Sequence, residues 1–148
     1  MNLQECLLRL AEIEEDGAGL YKKFSDVCSE KLKPVVVLFS QEERKHKEFM
    51  LKLATNENLK AEQLDRETEE VIQKQVDYYS TNGDNLNLAS EKEFFRFSLQ
   101  LEKNTIEIYT KLLSILEEES YAFKSFEALI GEERKHMLFI LNELYELK

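Results

Sequence analysis

The chain has 148 residues, a formal net charge of −10, four Gly, one Pro, two His and two Cys. Its length suits one domain with a hydrophobic core, and the scarcity of Gly and Pro excludes a β-sandwich or barrel, which needs a turn roughly every 8–12 residues. An acidic chain without a basic cluster is a poor nucleic-acid binder, because that affinity comes from Lys and Arg on phosphates, and no purely apolar run is longer than that of residues 35–39, which is far too short to span a membrane.

The elements follow in chain order. Leu3, Leu7, Leu10, Glu14, Gly17, Tyr21, Phe24 and Cys28 fall at steps of three and four, the spacing of one helix face. The opening MNLQECLLRLAEIEED has neither a basic n-region nor a small-residue cleavage site, so no signal peptide is expected. A second helix begins near Pro34, a residue suited to a first turn, and its stripe reads Val36, Phe39, Glu43, His46, Met50 and Leu53.

A polar stretch over about residues 56–89 carries only scattered apolar residues, Leu59, Leu64, Val71, Ile72, Val76, Tyr78 and Tyr79. A structureless connection of that length is rare, so residues 62–79 are expected to be helical and to end at the turn signal STNGDN. The next helix starts at Ser90 with Glu93 three residues on, a capping-box pattern, and reads Phe95, Ser98, Glu102, Thr105, Tyr109, Leu112 and Leu116. The last follows Ser120 and reads Ala122, Phe126, Leu129, Glu133, His136, Ile140 and Leu147.

Short loops join each outer pair of helices, which makes each pair an antiparallel hairpin. The expected fold class is all-α: a four-helix bundle with one long crossover between helices two and three, one domain over 1–148. The hairpins cover about residues 2–55 and 90–147, and the crossover about residues 56–89. The halves also repeat. Glu14 and Tyr21 are matched by Glu102 and Tyr109 at an offset of 88, and E-E-R-K-H recurs letter for letter at 42–46 and 132–136, an offset of 90. The chain reads as two duplicated helical hairpins.

Four carboxylates, Glu14, Glu43, Glu102 and Glu133, stand on stripes that should be apolar. A buried Glu is costly unless it is paired, protonated or bound to a metal. His46 and His136 follow Glu43 and Glu133 at i+3, so each pair projects from one face over one turn. Dinuclear carboxylate bundles use one Glu from each of two helices and Glu-x-x-His from each of the other two; all six positions are present. Mixed oxygen and nitrogen donors suit iron or manganese, and zinc less specifically. The competing reading pairs the buried groups with Arg44, Arg134 and Lys side chains, although each Arg sits one residue off the stripe.

Glu15, Glu42 and Glu132 are expected to be solvated. Tyr21 and Tyr109 are either core residues or hydrogen-bond donors to a ligating carboxylate. Phe94, Phe95 and Phe97 read as core or crossover packing, and Cys6 and Cys28 as small core residues. Gly17 and Gly19 admit either a closely packed neighbour or a small oxidant near Glu14. Two thiols too far apart on one helix to be bridged suggest a reducing, cytoplasmic location.

These residues resemble the ferritin-like superfamily, and within it the rubrerythrin-like branch. The resemblance is carried by E-E-D-G-A-G-L-Y (14–21), E-E-R-K-H (42–46), E-K-N-T-I-E-I-Y (102–109) and E-E-R-K-H (132–136), and covers the chain apart from the crossover. It implies Glu14 and Glu102 as terminal ligands, Glu43 and Glu133 as bridging carboxylates, and His46 and His136 as nitrogen ligands of two iron ions. Manganese or zinc are the alternatives. The implied activity is reduction of hydrogen peroxide, or oxidation of ferrous iron by peroxide or dioxygen.

Three departures from the family pattern shape the expectation. The cysteines of a rubredoxin module are missing from this sequence, so an external electron donor protein is expected. Thr105 stands where many rubrerythrins carry an extra Glu, and Arg44 stands where haem-binding bacterioferritins place Met, so haem is not expected. No fifth ferritin helix is evident, which disfavours a 24-subunit cage, and the exposed bundle faces favour a homodimer. The alternatives to a peroxidase are an iron-storing or iron-delivering ferroxidase and a non-catalytic metal-binding bundle.

Overall fold

The structure, a computed structural model, describes residues 1–56 and 63–147. Five helices occur in the order α1 (Leu3–Ser25), α2 (Lys33–Ala54), α3 (Arg66–Asn82), α4 (Glu91–Leu113) and α5 (Tyr121–Glu146), with no strand among the described residues. The chain divides into two compact units, Met1–Leu64 and Asp65–Lys148. No helix among the described residues is long and apolar enough to cross a membrane.

In the first unit α1 is started by a reciprocal cap. Glu5 N donates to Asn2 Oδ1 at 2.8 Å, and Asn2 N donates to Glu5 Oε2 at 2.9 Å. Such a cap satisfies two helix-end donors at once and contributes about 1 kcal/mol. Pro34 occupies the first turn of α2, as expected. The helices run antiparallel: Gln4 Nε2 donates to the Ala54 carbonyl at 2.9 Å, and Ser40 Oγ to the Ala18 carbonyl at 2.8 Å. Leu3, Leu7, Leu10, Phe24, Val36 and Met50 are buried apolar residues of their stripes on these two helices. The α1 stripe outruns its helix. Cys28 lies beyond Ser25 and is only half-buried, whereas Cys6 is buried.

In the second unit α4 and α5 form the other hairpin and α3 packs on α4. Ser90 and Ser120 cap α4 and α5 by accepting from Glu93 N at 3.2 Å and Phe123 N at 3.1 Å. Phe97 faces the crossover helix, with its ring stacked on Tyr78 at 5.2 Å, while Phe94 and Phe95 are core. Leu147 falls past the end of α5 and is half-buried.

The crossover helix differs from the expected span at both ends. Residues 57–62, which include Leu59 and the expected start at 62, lie outside the described residues. The described helix begins at Arg66, capped by Asp65, whose carboxylate accepts from Thr68 N at 2.7 Å. At the other end α3 runs through Ser80, Thr81 and Asn82 and stops at Gly83. There a Cβ would come 2.7 Å from the Tyr79 carbonyl oxygen, so the stop falls where only Gly fits.

Candidate metal centre

Each unit gathers one set of two carboxylates and one imidazole. In the first, α1 brings Glu14 opposite the turn of α2 that carries Glu43 and His46. His46 Nδ1 stands 3.6 Å from Glu14 Oε2 and 3.6 Å from Glu43 Oε2. In the second, α4 brings Glu102 opposite the corresponding turn of α5. His136 Nδ1 stands 3.4 Å from Glu102 Oε1 and 3.7 Å from Glu133 Oε2. All six residues are buried, none more than 5% exposed. Within each unit one donor atom from every member lies within 4.8 Å of the others.

The helix geometry explains this convergence. Residues at i and i+3 lie about 4.5 Å apart along the axis and on one face. The E-E-R-K-H turn therefore buries its second Glu and its His while exposing Arg and Lys, in both copies. Arg44 and Arg134 are exposed, and Arg44 lies 3.8 Å from Glu15 at the surface. The competing expectation, that Arg neutralises the buried carboxylates, does not describe these two residues. Glu15 is half-exposed and pairs with Lys47 at 3.0 Å, Glu42 is half-exposed and Glu132 exposed, as expected of solvated neighbours.

The donor sets fit divalent cations. The nitrogen–oxygen separations of 3.4–3.7 Å exceed the usual hydrogen-bond length of about 2.7–3.2 Å. Two donors about 2.1 Å from one cation stand roughly 3.0–3.6 Å apart at angles of about 90–120° between them. The observed spacing is close to that of groups sharing an ion. Burying three ionisable groups together is otherwise expensive, and a cation offsets the cost.

Tyr21 and Tyr109 are buried in edge-to-face pairs, Tyr21 with Phe39 at 5.6 Å and Tyr109 with Phe126 at 5.4 Å. Their packing role is plain. Gly17 and Gly19 are not required for close packing. A Cβ at Gly17 would sit at ordinary contact, 3.9 Å from Glu43 Oε2, and one at Gly19 would meet nothing within 4 Å.

Ser40, Thr68, Gln75 and Asn104 are buried polar residues that the sequence reading did not pick out. Gln75 is 3% exposed, whereas the neighbouring Val76, counted among the apolar positions, is half-exposed. The signal was available. Thr68, Val71, Ile72 and Gln75 continue a three-and-four spacing along α3, so Gln75 stands where an apolar residue belongs.

The fold that this pattern defines is shared with a solved protein. The chain superposes on the crystal structure of a Thermotoga maritima protein described as a ferritin-like diiron-carboxylate protein, with a TM-score of 0.77 and 20% identity. The match covers 100% of this chain and 97% of the other. The fold is therefore ferritin-like, the class expected from the sequence. A search of curated proteins matches none. The sequence model of the rubrerythrin family matches residues 5–144, and the chain belongs to that family.

Proposed function

We propose that the two Glu/Glu/His sets hold two iron ions and that the chain is a di-iron oxidoreductase of rubrerythrin type, reducing hydrogen peroxide or oxidising ferrous iron. The observation that carries this reading is the duplicated, buried set, one per unit, in a chain of this family. Glu14 and Glu102 serve as terminal ligands, Glu43 and Glu133 as shared carboxylates, and His46 and His136 as nitrogen ligands. When bound, the ions supply electrons to a small oxidant and stabilise the charge that develops on its oxygens.

The chain's own residues do the remaining work. Four carboxylates balance the charge of two divalent ions, so the loaded site is near neutral in its apolar surroundings. Placing each Glu and His on the facing turns of two packed helices fixes donor direction before any ion arrives, which lowers the ordering cost of binding. Tyr21 and Tyr109 wall the cores beside the ligand turns, and their hydroxyls serve as hydrogen-bond donors to ligating carboxylates. The partners that complete the reading are hydrogen peroxide or dioxygen, an external electron donor protein and a second copy of the chain, in the cytoplasm.

The test is metal content and reactivity. Glu43→Ala and Glu133→Ala should each lose at least one iron per chain by elemental analysis, and retention of both irons in both variants would sink the assignment. Anaerobic ferrous loading followed by rapid mixing with peroxide and with dioxygen, in parallel, separates the two activities. An assembly of many subunits holding far more than two irons per chain would replace this reading with iron storage.

A further inference from the structure

Gln75 contributes nothing to the proposed ligand set, yet it grips the helix that carries part of it. Its Nε2 donates to the Leu101 carbonyl at 3.1 Å and to Thr105 Oγ1 at 3.1 Å. Its Oε1 accepts from Asn104 Nδ2 at 2.9 Å, and Asn104 Oδ1 accepts from Gln100 Nε2 at 2.8 Å. Thr105 Oγ1 in turn donates to the Leu101 carbonyl at 2.9 Å. Leu101, Asn104 and Thr105 belong to the same turn of α4 as Glu102. A Thr hydroxyl returning to the carbonyl four residues back competes with the helix ladder and bends the helix. The Gln75 amide holds that carbonyl and that hydroxyl together, so the turn that carries Glu102 is held from α3.

The duplicated frame shows that this grip is peculiar to the second unit. The offset of 88 sets Asp16 and Gly17 against Asn104 and Thr105. Asp16 is exposed and Gly17 has no side chain, whereas Asn104 and Thr105 are buried. In the first unit the corresponding hold on the ligand helix comes from α2, through Ser40 Oγ on the Ala18 carbonyl at 2.8 Å. The offset of 90 places Ile130 opposite Ser40, and an Ile side chain has no donor. The crossover helix gives α4 what α2 gives α1.

We propose that Gln75 is a positioning residue. Through Leu101, Asn104 and Thr105 it sets the turn from which Glu102 projects, and it tightens metal binding at the Glu102/Glu133/His136 set while leaving the Glu14/Glu43/His46 set unchanged. This rests on the reading of the two sets as metal sites. The test is a cobalt(II) titration of the full chain, followed by visible absorption and calorimetry. The wild type should take up two ions per chain.

Gln75→Met keeps the length and removes the hydrogen bonds. It should weaken one binding step about tenfold, the scale of outer-partner effects on metal sites, and leave the other within about twofold. The affected step should be the one that His136→Ala abolishes. Thr105→Val, which removes the hydroxyl at the far end of the network, should weaken the same step. Val71→Ala, on the same buried face of α3, should lower the melting temperature without moving either step. Equal weakening of both steps, no change in either, or the same selective loss in Val71→Ala overturns the positioning role while the metal centre stands. A wild-type chain that takes up no cobalt overturns the metal reading itself.

Discussion

Metal binding to the two proposed sets should register as thermal stability, because an ion that binds the native but not the unfolded chain stabilises by RT ln(1 + [M]/Kd). At a free-ion concentration 100-fold above Kd this is about 2.7 kcal/mol per ion, or about 5.4 kcal/mol for two. A chain of 148 residues unfolds with an entropy of about 0.3 kcal/mol/K near its midpoint, so two ions should raise Tm by about 17 °C. In His46→Ala the first set keeps only Glu14 and Glu43, and in His136→Ala the second keeps only Glu102 and Glu133. Each variant should lose one ion, and its metal-induced rise should fall to about 9 °C.

Both substitutions also open a cavity at a buried position, which costs stability with or without metal. The quantity to read is therefore the difference between metal-loaded and metal-free scans of the same variant, by calorimetry with manganese(II) or cobalt(II). A full-size rise retained in either variant, or no rise in the wild type, refutes the reasoning. A rise abolished by one substitution and untouched by the other refutes the equivalence of the two sets.

Other consequences are open to simpler assays. Burial pushes the Cys6 thiol up to about 12, while Cys28 is half-buried at the end of α1; at about pH 8 a thiol reagent should label Cys28 in the native chain and Cys6 only on unfolding, and equal rates would contradict this. Glu119 holds a positive φ of 71°, which costs an L-residue about 1 kcal/mol, so Glu119→Gly should stabilise by about 0.5 kcal/mol net of the added unfolded-state entropy; a lower denaturation midpoint would argue against the strain. Thr68, and then Lys111, hold the Asp65 carboxyl below its ordinary value. Its contribution is therefore fully present above the unfolded value near about 4 and is lost as pH falls through the lower folded value. Asp65→Asn keeps the helix cap, so it should flatten that part of the acid limb of a denaturant-melt series, and an unaltered slope would count against the assignment.

The four long helices and the clustering of the six buried Glu and His residues were legible because both rest on periodicity. A carboxylate at a stripe position is visible once the apolar residues one turn away are read. Glu43 and His46 are separated by the same two exposed residue types as Glu133 and His136. Helix ends were less legible. Cys28, Leu116 and Leu147 keep the spacing of their stripes but lie beyond Ser25, Leu113 and Glu146, because a chain leaving a helix can still tuck an apolar side chain against the core. The crossover was read from apolar letters alone, which selected Val76 and passed over Gln75. Composition cannot separate a buried amide from an exposed one; partners such as Leu101, Asn104 and Thr105 do, and only folding assembles them.

The duplication keeps the proposed ligands and rearranges what supports them. Tyr21 meets Phe39 and Tyr109 meets Phe126 at nearly the same centroid distance. Yet the offset of 90 aligns Phe39 with Leu129 and Phe126 with Val36. The aromatic partner has moved one turn along its helix while the ring contact has been kept. Volume against the tyrosine is what the core requires, and several positions can supply it. A donor atom has no such freedom. Displacing a carboxylate by one turn moves it about 5.4 Å, more than the whole spread of 4.8 Å within which the donors of each set lie. The hydrogen-bond supports behave like the aromatics: Ser40 serves α1 from its hairpin partner and Gln75 serves α4 from the crossover. Where chemistry fixes distance the two halves agree letter for letter, and where packing only needs a surface filled or a carbonyl held they have diverged.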